Sequence, residues 1–79
     1  MKIRKNIAIS DEGFLFNPAT GDSFSTNGIG VEIISKLKKD FSEKEIIDSI
    51  CSEYDVDRNL FERDFDDFTA VLKEYGILE

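Results

Sequence analysis

The chain has no histidine, a single cysteine and no apolar run long enough to cross a membrane. Each lack narrows what it can do. Without histidine the commonest general base near neutral pH is missing, and no nucleophile–base pairing or metal-ligand spacing replaces it. The one thiol, Cys51, cannot form an internal disulfide and falls on an apolar helical face, so it reads as a packed group in a reducing compartment. The start Met1-Lys2-Ile3-Arg4-Lys5 is basic, but no apolar stretch follows it, so no signal peptide and a cytoplasmic location are expected. Internal repeats, linkers and low-complexity segments are lacking too. Seventy-nine residues then amount to one small domain, residues 1–79, with a modest core. At 41% hydrophobic and 34% charged the chain has the composition of a soluble folded protein, not a disordered one. An enzyme, a metal site and a bound cofactor are not expected.

Positive charge is scarce in the second half. Residues 1–39 hold six Lys/Arg against four Asp/Glu, a charge of +2, whereas residues 40–79 hold four against thirteen, −9. Nucleic-acid binding depends chiefly on neutralising phosphates, and a net charge of −7 opposes it. DNA is therefore a poor ligand even if the helices form a helix-turn-helix shape.

What is present is a clear order of elements. Ile7-Ala8-Ile9 is β-prone and ends at the polar turn Ser10-Asp11-Glu12-Gly13; Phe14-Leu15-Phe16 follows, then Asn17-Pro18-Ala19-Thr20-Gly21-Asp22, dense in turn residues. Ser23-Phe24-Ser25-Thr26 reads as a return strand with Phe24 facing the core and both serines facing out. Asn27 suits an N-cap, and Gly30, Ile33, Ile34, Leu37 and then Phe41 mark the buried side of the helix it opens. The glycines Gly28 and Gly30 weaken that helix but allow its start to approach the sheet. Ser42-Glu43-Lys44-Glu45 is a capping box, and Ile46, Ile47, Ile50, Cys51 and Tyr54 form the apolar face of the second helix. Asp57 caps the third. There Phe61, Phe65, Phe68, Leu72 and Tyr75 recur at helical spacing, and Gly76 sits where the helix should stop, before Ile77 and Leu78. The expected fold is α+β: a three-stranded antiparallel meander (about 6–10, 14–17 and 23–26) followed by three helices (about 28–39, 43–54 and 58–75) in a winged-helix-like arrangement.

Two motif-like stretches fail on context. Asp55, Asp57 and Asn59 match the first three ligand positions of an EF-hand loop, but Leu60 replaces the turn glycine and Asp66 the bidentate glutamate. Asp48-Ser49-Ile50 is similar to the attachment site of acyl carrier proteins, yet Ser49 lies well inside the second helix. The remaining candidate is a binding surface. The third strand is an edge, mostly uncharged, and lacks the lysine or proline that usually discourages pairing there. The same edge would allow self-pairing into a homodimer. Asp64, on the third helix, points at or beside the apolar stripe and not away from it.

Taken together, these segments resemble the PqqD family, the peptide-recognition domains of ribosomally made, modified peptides. The resemblance runs from about Ile7 to Leu78. A strand pair around a Pro/Thr/Gly turn leads to Asn27 in the position of the family's Leu-Asn, with Thr26 in place of the usual leucine. Ile33 and Leu37 follow as first-helix core positions, and Phe41-Ser42-Glu43-Lys44-Glu45-Ile46 resembles the polar start of the second helix. Tyr54-Asp55-Val56-Asp57, Arg63-Asp64, Phe68, Leu72 and Gly76-Ile77-Leu78 are similar to the closing pattern. Gly28, Gly30 and Ile34, where tryptophan is common, depart from it.

The resemblance implies a non-catalytic adaptor. It would bind the leader of a precursor peptide as an added strand beside the third strand and against the third helix. It would then deliver that leader to a modifying enzyme, often a radical S-adenosylmethionine enzyme. Carried over, the groove has Ser23, Phe24, Ser25 and Thr26 on one side and Leu60, Phe61, Asp64, Phe65 and Phe68 on the other. Phe68 is expected to be mainly core, with Phe65 open between core and groove. The alternative is a structural or regulatory interaction domain acting through its acidic helical face.

Overall fold

A computed structural model describes residues 1–79. Three strands, β1 (Ala8–Ile9), β2 (Phe14–Asn17) and β3 (Asp22–Ser25), form an antiparallel sheet in the order β1-β2-β3. Three helices follow: α1 (Gly28–Lys38), α2 (Glu43–Glu53) and α3 (Arg58–Glu74). The α+β meander-then-helices architecture is the expected one. The register pairs Phe14 with Ser25, Leu15 with Phe24, and Phe16 with Ser23. Because side chains alternate across a strand, Leu15 and Phe24 turn toward the helices while Phe14, Phe16, Ser23 and Ser25 turn away.

Strand β1 is shorter than the expected 6–10 for a specific reason. The chain before it is engaged elsewhere: Ile3 bridges Leu78, Arg4 N–H donates to the Ile77 carbonyl at 2.9 Å, and Glu79 N–H to the Lys2 carbonyl at 2.8 Å. Ile3 and Ile7 are thereby buried with Ile77 and Leu78.

Each helix begins with the cap its sequence provides. Asn27 accepts from Gly30 N–H, Ser42 and Glu45 form the reciprocal capping box, and Asp57 accepts from Leu60 N–H. Helix α3 ends in a Schellman turn: Gly76, at φ 71°, donates to Lys73, and Ile77 N–H donates to Leu72 at 2.8 Å. The buried Asn17 side chain ties this turn to the sheet by donating to the carbonyls of Tyr75 and Gly76, both at 3.3 Å.

The core joins Leu15 of the sheet to Ile33, Ile34 and Leu37 of α1, Ile46, Ile47 and Ile50 of α2, and Phe61, Phe65 and Leu72 of α3. Phe41, expected on the buried side, is exposed, because Asp40 at φ 63° turns the chain off the axis of α1. Tyr54 is also exposed, since α2 ends at Glu53 and Tyr54 continues in extended backbone. On α3 the buried positions are Phe61, Phe65, Thr69 and Leu72. The apolar stripe therefore runs slightly to one side of the one read from the phenylalanines. Phe68 is only half-buried and Tyr75 is exposed. No helix is long and apolar enough to cross a membrane.

Candidate peptide-binding groove

Strand β3 has a neighbour on one side only. Thr26 N–H donates to the Gly13 carbonyl at 2.9 Å, which extends the β2–β3 ladder by one residue. Antiparallel ladders alternate, so Phe24 exchanges its backbone bonds with Leu15 across the sheet. By the same alternation, the N–H and C=O groups of Ser23 and Ser25 point to the free edge. These are the groups an added strand would bond.

Beside that edge, between the start of α1 and the first three turns of α3, lies a groove of about 510 Å³. That volume is in the range of sites that accept several side chains. Thr26 and the α1 residues Ile29, Gly30 and Ile33 form one wall; Leu60, Phe61, Asp64 and Phe68 form the other. Gly30 makes the first wall possible, since a Cβ on it would overlap the Thr26 hydroxyl. Gly28 has open space around its Cα, so the close approach expected of both glycines belongs to Gly30 alone.

Outside the groove the second wall carries a chain of ion pairs. Arg58 pairs with Asp48 of α2, Asp48 also receives Lys44 at 3.2 Å, and Arg58 reaches Glu62 at 3.3 Å. The Arg58 guanidinium, with Lys44 behind it, holds the Asp48 carboxyl below the usual aspartate range, and Asp48 in turn raises Arg58. This chain of exposed ion pairs links the first turn of α3 to α2, on top of the buried packing of Phe61 and Phe65 in the shared core.

The residues expected to form the site separate into three groups. Leu60 (58% exposed), Phe61 and Asp64 do line the groove, with Thr26 opposite. Phe65 is fully buried, so it is the floor beneath the groove, and Phe68 is the ring at its edge. Phe65, which the sequence leaves open between core and groove, is therefore core, whereas Phe68, expected to be mainly core, stands at the groove's edge while Thr69 takes a buried position. Ser23, Phe24 and Ser25 do not line the cavity. The two serines offer backbone to the edge, while Phe24 packs inward on Phe68 (ring centroids 6.4 Å) and edge-on against Tyr75 (5.3 Å).

Asn27, Ile29, Gly30, Ile33, Val56 and Asp57 line the groove without having been singled out for it. The one sequence signal for them was the Gly28/Gly30 pair. No lysine or arginine lines the groove, and its two ionisable groups are Asp57 and Asp64. The Asp57 carboxylate is engaged as the α3 cap, which leaves Asp64 as the carboxylate open to a ligand.

The sequence model of the family described as coenzyme PQQ synthesis protein D (PqqD) matches residues 12–78, all but the first eleven residues and the last. The chain belongs to the PqqD family. Two solved structures share the fold of this PqqD-family chain closely. One is described as TbiB1 in complex with the TbiA(beta) leader peptide; it is 38% identical, with a TM-score of 0.90, over 100% of this chain and 95% of the other. The second, lasso peptide synthetase B1 complexed with the leader peptide, is 27% identical, with a TM-score of 0.86, over 99% of this chain and 95% of the other. No curated protein matches the chain.

Proposed function

We propose that this PqqD-family chain is a non-catalytic adaptor. It captures the leader segment of a ribosomally made precursor peptide as a fourth strand along β3 and presents it to a modifying enzyme. The observation that carries this reading is the free β3 edge, with the backbone of Ser23 and Ser25 turned outward, lying beside an apolar groove walled by α3. Both solved neighbours described above hold leader peptides, which supports the same class of ligand for this chain.

Strand addition supplies affinity without sequence dependence, through main-chain hydrogen bonds; the groove supplies selection. Leader side chains that turn inward would meet Leu60, Phe61 and Phe68, which favours apolar anchors, and Asp64 at the rim favours a donor or a basic residue beside them. Nothing in the groove pairs a nucleophile with a base, so its chemistry is recognition. The lasso synthetase neighbour makes a lasso-type precursor the first substrate class to assay. A precursor served by a radical S-adenosylmethionine enzyme, as the family resemblance implies, is the second.

Titration of isotope-labelled protein with the synthetic leader of its precursor, followed by NMR, tests the reading. Shift changes are expected at residues 22–26 and along the groove side of α3. Changes confined to the acidic outer surface of the helices would contradict it and favour an interaction domain of another kind.

A further inference from the structure

The face of the sheet turned away from the helices is unlike the rest of the surface. Phe14 is 59% exposed and Phe16 45%, while Leu15 between them is 1% exposed, so both rings stand out from the sheet side by side. Their cross-strand neighbours are Ser25 for Phe14, and Ala8 and Ser23 for Phe16. No charged side chain stands on this face, in a chain that is 34% charged. The rings border a shallow hollow of about 310 Å³ beside Ala8, Ser10 and Ser23. Beyond the β1 and β2 strand ends, Asp11 and Glu12 are exposed at the β1–β2 turn, while Asp22 at the start of β3 alternates to the opposite face, with Phe24. Two neighbouring exposed phenylalanines on an uncharged sheet face mark an interaction surface in a small protein.

This face is continuous with the leader edge. Ser23 and Ser25 present their side chains to it and their backbone to the groove side. Accepting the adaptor reading, a leader added beside β3 would place every second side chain on this same face, next to those serines. Loading would thus widen the surface from three strands to four. A second copy of the chain is a poor occupant, because two molecules of charge −7 would be stacked with the acidic Asp11–Glu12 turn at the margin.

We propose that the outer sheet face centred on Phe14 and Phe16 is where the modifying enzyme docks. The enzyme would offer an apolar, uncharged surface with basic residues opposite Asp11 and Glu12. The outward side chains of the bound leader complete the face. The enzyme therefore engages the loaded adaptor more tightly than the empty one, and delivery follows from one surface formed by both partners.

The test uses the double variant Phe14→Ser, Phe16→Ser and, as a second variant, Phe16→Lys. Each replaces the wild-type gene in the cells that make the precursor. The modified fraction of that peptide is read by mass spectrometry, and the purified full-length proteins are titrated with its synthetic leader. Leader affinity is expected to stay within about twofold of wild type and the far-UV spectrum to be unchanged, while the modified fraction falls at least about tenfold, as for central interface rings. Undiminished modification by folded, leader-binding variants would overturn the docking face and leave the adaptor reading standing. Loss of leader affinity would also overturn it, because the rings would then serve the groove. So would a concentration-dependent dimer of the wild-type protein that the variants abolish while modification continues. A wild-type chain that binds no leader would refute the adaptor reading itself, whatever the variants do.

Discussion

Replacing Ser25 with proline removes one backbone donor from the free edge of β3 and leaves the internal bonds of the sheet in place. The β2–β3 ladder uses Phe24 and Thr26, whose N–H groups point toward β2, whereas Ser25 N–H points away from it. Proline is tolerated on an edge strand when its nitrogen faces outward, so the folded state should survive with a change in stability of about 1 kcal/mol or less. An added leader strand, however, loses one main-chain hydrogen bond, worth about 0.5–1.5 kcal/mol net. It also meets the pyrrolidine ring in an inter-strand space of only about 4.8 Å. Together these should raise the dissociation constant about ten- to a hundredfold, roughly 1.4–2.8 kcal/mol. Calorimetric titration with the synthetic leader gives the affinity, and a thermal melt on the same sample gives the fold. Ser25→Ala, which keeps the N–H, is the control and should bind within about twofold of wild type. If Ser25→Pro melts normally and binds as tightly as Ser25→Ala, the leader is not held by strand addition at this edge.

Gly30→Ala forces a methyl onto the Thr26 hydroxyl and should cost about 1–3 kcal/mol in a denaturant melt, with weakened leader binding because both residues wall the groove. Asp64→Ala should weaken binding only by the value of an exposed ion pair or hydrogen bond, about 0.2–1 kcal/mol, and the loss should shrink when the titration is repeated at high salt. The Asp48 carboxyl is lowered by Arg58 and then Lys44, so its contribution to stability is present above the ordinary aspartate value and lost as pH falls through the lower, folded one. Asp48→Asn should therefore melt below wild type at neutral pH, and the gap should narrow as pH falls below the ordinary aspartate value.

Much of this was legible because local chemistry and packing agree. The caps at Asn27, Ser42 and Asp57, the αL stop at Gly76 and the turn at residues 17–22 each require particular residue types, and they bound the elements to within a residue or two. What escaped was set by contacts distant in sequence. Ile3 meets Leu78 across the whole chain, which no local pattern encodes, and this drew the N-terminus away from β1. On α3 a buried position goes to Thr69, a polar residue whose hydroxyl is satisfied by the Asp66 carbonyl at 3.1 Å. A reading that counts only large apolar residues gives that buried position to Phe68. The groove shows the same division. Helical spacing puts Asp64 beside the apolar stripe and the family resemblance supplies Leu60 and Phe61, but the α1 wall depends on how closely Gly30 approaches Thr26. The exposed rings of Phe14 and Phe16 were equally hidden, since an apolar triplet does not reveal which of its members faces out.

Amide hydrogen exchange at β3, with and without the leader, tests the central claim most directly. In the free chain Phe24 and Thr26 are bonded across the sheet and should exchange slowly, while Ser23 and Ser25 face an open edge and should exchange fast. With leader bound as an added strand, Ser23 and Ser25 should become protected together and the alternation along β3 should disappear. If their amides still exchange freely in a saturated complex, the leader is held by side chains elsewhere and the added-strand account is wrong.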